Sequence, residues 1–251
     1  MTVSPAPDLD TVRAELAPTG VLRAGINLSN FLLVTGRSAN GDPEGVSPSM
    51  ARAVAEKLGV PVQYVPFKTP GELADAAGED VWDIGLIGAE PERARTIAFT
   101  AAYVEIEATY LVPAGSPVQS IEEVDRPGVR IAVAARSAYE LWLSDNIGHA
   151  ELCLAQGLDG SLSLFLDQSL DALAGLRPRL ITDVEKIPGA RILDGKFTAV
   201  QQAIGTKPER REGAGFLRAF VEEAKVSGTV GRLIDEHGVS GRLTVAPPAD
   251  A

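Results

Sequence analysis

Cysteine is almost missing from this 251-residue chain. Cys153 stands alone, so no disulfide can close within the chain and no cysteine cluster can hold zinc. With no histidine placed beside it as a catalytic partner, it reads as a small apolar core residue. Histidine is nearly as scarce: His149 and His237 are far apart, each next to a glycine in a turn-like context. They read as solvated loop residues, and nothing in the sequence calls for a metal or another cofactor. Positive charge is short as well, with 23 Lys and Arg against 34 Asp and Glu and a formal charge of −11. That balance leaves no general attraction for nucleic acid or an acidic membrane surface. No apolar run nears the roughly 20 residues needed to span a bilayer, so direct membrane insertion is not expected. The opening MTVSPAPDLDTVRAELAPTG has neither the basic start nor the apolar stretch of a secretory leader. As written, the chain is expected in the cytoplasm, and in the periplasm if a leader has been removed.

What is present is an ordinary globular composition, 45% hydrophobic and 23% charged, in a chain long enough for one domain or two lobes. From Val21 strands and helices alternate. VLRAGINL reads as a strand, and a turn-rich segment then leads to a helix with Ser47 as its cap, Pro48 in its first turn and Gly59 at its end. VPVQYVPF, PGELADAAG and VWDIGLIG follow as strand, helix and strand, a βαβαβ order that favours a parallel sheet and an α/β fold. VEIEATYLVPAGSP reads as a long strand that crosses between lobes. VRIAVAA then predicts a strand, SAYELWLSDNI a helix, SLDALAGL a helix and RLITD a strand. Ala199 to Thr206 returns the chain, and Gly215 to His237 holds two helical stretches with Phe216, Leu217, Phe220 and Ala224 on one face.

The most informative stretch is DIGLIGAEPERARTIAFTAAY, Asp83 to Tyr103. Val81, Ile84, Leu86 and Ile87 read as a buried strand, Gly88 to Pro91 breaks it, and Arg93 follows the break. A guanidinium there can meet a ligand carboxylate through a two-point fork that lysine lacks. The plainer reading is a surface arginine near Glu90 or Glu92.

Over about residues 18 to 240 the chain resembles the bacterial solute-binding proteins that serve polar amino-acid uptake, often called family 3. VLRAGINL is similar to the family's opening strand and GDPEGVSPSMARAVAEKLG to its helix entry. EPERARTIAFTAAY is similar to the block in which Pro-Glu-Arg is followed by Phe-Ser/Thr and Tyr, with Arg93 six residues before Phe99. SIEEVDRPGVRIAVAARSAYELWL resembles the entry to the second lobe, and ITDVEKIPG the strand-end aspartate segment. The resemblance implies a two-lobed α/β fold of the type II periplasmic-binding kind, with residues 1–112 and 206–251 in lobe 1 and residues 113–205 in lobe 2. It further implies two hinge crossings, a ligand held between lobes, Arg93 on the ligand carboxylate and Asp183 on its ammonium. Asn27, Phe31, Gly88, Glu90, Arg136 and Ser137 fall at the other binding positions. The expected partners are a small carboxylated molecule and, if the protein is exported, an ABC permease, with the protein itself a monomer.

Departures from the family pattern alter the expected pocket. Leu86, Gly88 and Glu90 stand where a glycine and two hydroxyl residues are usual, and Arg136, Ser137 and Ala138 where a glycine precedes two hydroxyls. Arg136 either adds a cation to the cleft or pairs with Asp145 or Glu140 at the surface, and Asp183 either meets the ligand or caps a turn. Tyr103 and Trp142 read as packing residues. Three functions follow: a binding protein without catalysis, a dehydratase or lyase using Glu90 and Asp183 as acid and base, and a cytosolic sensor or degenerate binder.

Overall fold

The structure, a computed structural model, describes residues 8–249. Residues 1–7 and 250–251, which the expected lobe 1 includes, lie outside the described residues. In chain order the elements are α1 (Leu9–Leu16), β1 (Leu22–Asn27), a small hairpin of β2 (Gly36–Arg37) and β3 (Pro43–Glu44), α2 (Val46–Leu58), β4 (Val62–Phe67), α3 (Pro70–Asp75), β5 (Ile84–Gly88), β6 (Ala98–Phe99) and β7 (Val104–Val112). There follow β8 (Arg130–Ala134), α4 (Ala138–Asn146), β9 (Glu151–Ala155), α5 (Gly157–Asp167), β10 (Ala172–Leu176), α6 (Arg177–Val184) and β11 (Arg191–Ile192). The chain closes with β12 (Thr198–Thr206), α7 (Arg211–Val226), α8 (Thr229–Glu236) and β13 (Thr244–Val245).

By internal packing the chain forms two compact units. The first joins the residues up to Glu105 with those from Gln201 onward, and the second is Ile106–Val200. The chain passes between them within β7 and again within β12. In the first unit β4, β1 and β5 are parallel neighbours, and β12 lies antiparallel on β5. In the second β9, β8 and β10 are parallel neighbours, and β7 lies antiparallel on β10.

Sequence explains the central elements of the first unit. Strand β5 is buried on both faces, so it reads as a continuous apolar run, with Trp82 just before it donating its indole N–H to the Leu73 carbonyl at 3.1 Å. Val81, assigned to this strand from its sequence, is exposed and lies outside it. Gly45 caps α2 at φ +146°, where a Cβ would stand 2.2 Å from the Leu33 carbonyl oxygen, so only glycine fits. Ser47 therefore does not cap this helix. Its hydroxyl shares a 2.7 Å hydrogen bond with the buried Tyr103 hydroxyl instead. Helices α7 and α8 match the two stretches expected, and Phe216, Leu217, Phe220 and Ala224 are buried on one face.

At the amino end of β5 the fully buried Asp83 accepts two bonds from the Arg23 guanidinium, at 3.0 and 2.8 Å, and one from Arg210 at 2.9 Å. A buried carboxylate is tolerable only when its charge and lone pairs are met in this way. The contact ties β1 and β5 to the residue that opens α7.

The second unit corrects part of the sequence reading. SLDALAGL was expected to be a helix and RLITD a strand, yet Ala172–Leu176 is strand β10 and Arg177–Val184 is helix α6. A short apolar run carries too few residues to separate a period of 2 from one of 3.6. Pro178 decides the matter, because it suits a first helical turn and cannot donate within a central strand. Strand β9 and helix α5 were not expected at all. Among the described residues, no helix is long and apolar enough to cross a membrane.

Candidate functional site

In the first unit the parallel strands β1 and β5 lie side by side, so the loops leaving their carboxyl ends share one edge. Such an edge is where open α/β sheets bind ligands, because loops there can vary while the strands stay fixed. Asn27, the last residue of β1, is buried and turns the chain by accepting the Ser29 N–H at 3.1 Å and the Ser29 hydroxyl at 2.7 Å. Asn30 is buried too, its Oδ1 accepting the Leu32 N–H at 3.2 Å. Phe31 is half-buried, with the Arg242 guanidinium 5.4 Å from its ring centroid.

Strand β5 ends at Gly88, and Arg93 opens a short 3₁₀ turn, Arg93–Arg95. Arg93 is only 4% exposed, and its Nη1 donates to the Gly88 carbonyl at 2.9 Å. The surface reading of Arg93 therefore fails. Glu90 is also buried, and its carbonyl accepts the Ala94 N–H at 3.0 Å, which fixes the start of the turn. The edge thus gathers Asn27, Asn30, Gly88, Glu90 and Arg93, a buried cation with amide and carboxylate neighbours along the chain. Chemically, a guanidinium held by a main-chain carbonyl is pre-set for planar recognition of a carboxylate.

The second unit treats its polar residues differently. After β8 the chain turns through Arg136, which is exposed and sits at φ +59°. Ser137 caps α4, its hydroxyl accepting the Glu140 N–H at 3.1 Å, and Glu140 reaches back to the Arg136 N–H at 2.8 Å. This is a reciprocal cap, and it binds Arg136 to Glu140 through the main chain. Asp183 is no strand-end residue: it lies in α6, is 1% exposed, and pairs with Arg179 at 2.7 Å and Lys186 at 3.2 Å. Residues one helical turn apart meet on a helix face, which is why this carboxylate is drawn into local ion pairs. The residue directly after strand β10 is Arg177, which sequence reasoning missed. Its Nε donates to Glu107 at 2.8 Å. The Arg-Pro pair after an apolar run was the signal, once Pro178 is read as a helix start.

Three further expectations can be placed. Tyr103 is buried packing, as read, and Trp142 packs with its ring centroid 5.5 Å from that of Phe197, which also lies 4.5 Å from Tyr110. His237 is not simply solvated, because its Nε2 lies 2.9 Å from the Ser49 hydroxyl. Among the described residues no group of three or more His, Cys, Asp or Glu is placed to hold a metal.

Residues 30–239 match the family model of bacterial extracellular solute-binding proteins, family 3. The chain belongs to that family. Solved structures of similar fold include the ancestral amino acid-binding protein AncCDT-1, a precursor of cyclohexadienyl dehydratase, with 22% identity, a TM-score of 0.70 and coverage of 91% of this chain and 98% of the other. The cysteine-binding protein from Campylobacter jejuni is similar at 17% identity and a TM-score of 0.71, covering 91% and 92%. These likenesses establish the two-lobed, type II periplasmic-binding α/β fold of this family 3 protein. A curated relative, cyclohexadienyl dehydratase of Pseudomonas aeruginosa, is 26% identical over 166 residues. The match spans 61% of this chain and 61% of that relative's length.

Proposed function

We propose that this family 3 protein captures a small carboxylated metabolite, an amino acid or a related organic anion, with Arg93 as the anchor for the carboxylate. The observation that carries the reading is the burial of Arg93 at the carboxyl end of a central strand, bonded to Gly88. The planar guanidinium fork matches a carboxylate in both charge and geometry, so a ligand carboxylate is its chemical counterpart at this edge. Asn27, Gly88, Glu90 and Phe31 line the same edge, while Arg136 and Ser137 offer the capped helix start of the second unit. Asp183 drops out as the ammonium receiver because Arg179 and Lys186 hold its carboxylate. Glu90, buried at the same edge as Arg93, takes that role for a ligand that carries an amine. If the protein is exported, an ABC permease is its partner, in keeping with its likeness to the substrate-binding protein of an amino acid ABC transporter.

Calorimetric titration with amino acids, dicarboxylates and phosphorylated metabolites tests the proposal. Arg93→Ala is expected to cost about 2–5 kcal/mol of binding free energy, and unchanged affinity in that variant sinks the anchor role. Glu90→Gln should weaken amino acids more than acids that lack an amine.

A second reading is dehydration of a bound acid, favoured by the relative from Pseudomonas aeruginosa and by the buried carboxyl of Glu90. With Asp183 engaged in its ion pairs, the acid–base pair expected from sequence reduces to Glu90 alone. Turnover of candidate acids by the purified protein, lost in Glu90→Gln, supports this reading, and a ligand recovered unchanged after long incubation removes it.

A further inference from the structure

Strand β9 stands last in its sheet, paired with β8 on one side, and among the described residues no strand lies on its other side. The bonds to β8 settle which main-chain groups face outward. Glu151 N–H donates to the Val129 carbonyl, and the Ala155 carbonyl accepts from Ala135, both at 2.8 Å. Because a strand alternates, residues 151, 153 and 155 address β8, while Leu152 and Leu154 turn their N–H and C=O groups away from it. Natural sheets blunt such an edge with lysine, proline or a bulge. The edge strand of the first unit follows that practice with Pro66, whereas β9 reads Glu-Leu-Cys-Leu-Ala and leaves Leu154 54% exposed.

We propose that β9 pairs antiparallel with β9 of a second copy of this chain, about a two-fold axis through Cys153. Three features of the strand select a second copy as its occupant. In this register Leu152 lies opposite Leu154 of the other copy, and these are the residues whose N–H and C=O groups face outward, so the unmade bonds of each edge satisfy those of the other. The same pairing sets the leucines of both copies side by side on one face and covers the exposed Leu154. Glu151, the single charge of the strand, faces Ala155 of the other copy, so it does not oppose itself despite the chain's net negative charge. Sliding by two residues toward the amino end about each strand's centre sets Glu151 against Glu151 and loses both leucine pairs. The dimer departs from the monomer expected from sequence.

The register carries its own reporter. Cys153 faces its counterpart as a non-hydrogen-bonded pair, with Cα atoms about 4.5 Å apart, inside the range of about 4.4–6.8 Å usual for disulfides. Burial pushes the Cys153 thiol up, so oxidation is run at mildly alkaline pH. The two thiols lose two protons to the buffer and two electrons to added copper(II) phenanthroline.

The experiment combines sedimentation equilibrium of the full chain with non-reducing electrophoresis after that oxidation. A mass rising from monomer to dimer with concentration, and a linked dimer that dithiothreitol cleaves, are expected. Leu154→Glu should abolish both, with far-UV circular dichroism unchanged because the side chain is exposed. Cys153→Ser should remove the link and keep the concentration-dependent dimer. A monomer mass at every concentration overturns the proposal, as does a dimer that survives Leu154→Glu or one in which Cys153 fails to cross-link.

Discussion

The carboxyl ends of the two parallel sheets hold similar kinds of residue and use them differently. In the first unit, Arg93 and Glu90 are buried after a central strand, and the Arg93 guanidinium donates to the main-chain carbonyl of Gly88 at that strand's end. In the second, Ser137, Glu140, Arg177 and Asp183 all act on local structure: a cap, a reciprocal cap, a link to β7 and a set of ion pairs within a turn or so of α6. The lesson is that a charged residue near a strand end is a ligand candidate only after its helix neighbours have been checked. An acid with basic residues four before and three after it on a helix is already provided for.

That contrast is open to direct attack. The largest effect should separate the two ends outright: Arg93→Ala removes ligand binding and leaves the fold intact by circular dichroism. Asp183→Asn should do the reverse, lowering the urea-unfolding free energy by about 1–3 kcal/mol with calorimetric affinity unchanged, since it removes the ion pairs of a buried carboxylate with Arg179 and Lys186, leaves Arg179 only Asp159, and does not touch the first unit. Lost binding with full stability in Asp183→Asn would break the comparison and restore the ammonium role. Next comes Ser137→Ala, which should cost about 1 kcal/mol of stability as a lost helix cap, again read by urea titration. A larger fall in affinity than in stability would show that this hydroxyl serves the ligand as well.

The smallest expected effect is on pH. Asp125 accepts the N–H groups of Gly148, Ala150 and His149, and these bonds hold its carboxyl below the usual carboxylate range. A depressed pKa means stabilisation that is present above the ordinary value near about 4 and is lost as pH falls through the lower folded value. Acid unfolding should therefore include a contribution from the second unit that Asp125→Asn flattens, followed by circular dichroism against pH. An unaltered acid profile in that variant would remove Asp125 from the account.

Much of this was legible in the sequence where periodicity and punctuation agreed. Strands β1, β4, β5 and β8 and helices α2, α3, α4, α7 and α8 follow from apolar pattern and turn residues, and Arg93 was singled out by its place after the strand break. The failures share a physical cause. The five-residue run of β10 is too short for its period to show, and misreading it moved the strand end from Arg177 to Asp183. The cap of α2 was misread because Ser47 suits a cap by type, whereas the deciding fact is the close approach of Gly45 to Leu33, a long-range contact that residue type does not reveal.

The order in which the chain is written out gives the Asp83 contact a temporal meaning. The second unit is one continuous stretch, Ile106–Val200, and can close on itself as it leaves the ribosome. The first unit cannot, because its strand β12 and helix α7 come from the far side of that stretch, and the guanidinium of Arg210 that completes the Asp83 cluster is made late. Until then a buried acid has only Arg23 to meet it. The unit that holds the proposed anchor is therefore the last to be finished, so a chain broken off before α7 should leave it open to proteases and chaperones while the middle of the protein is already folded.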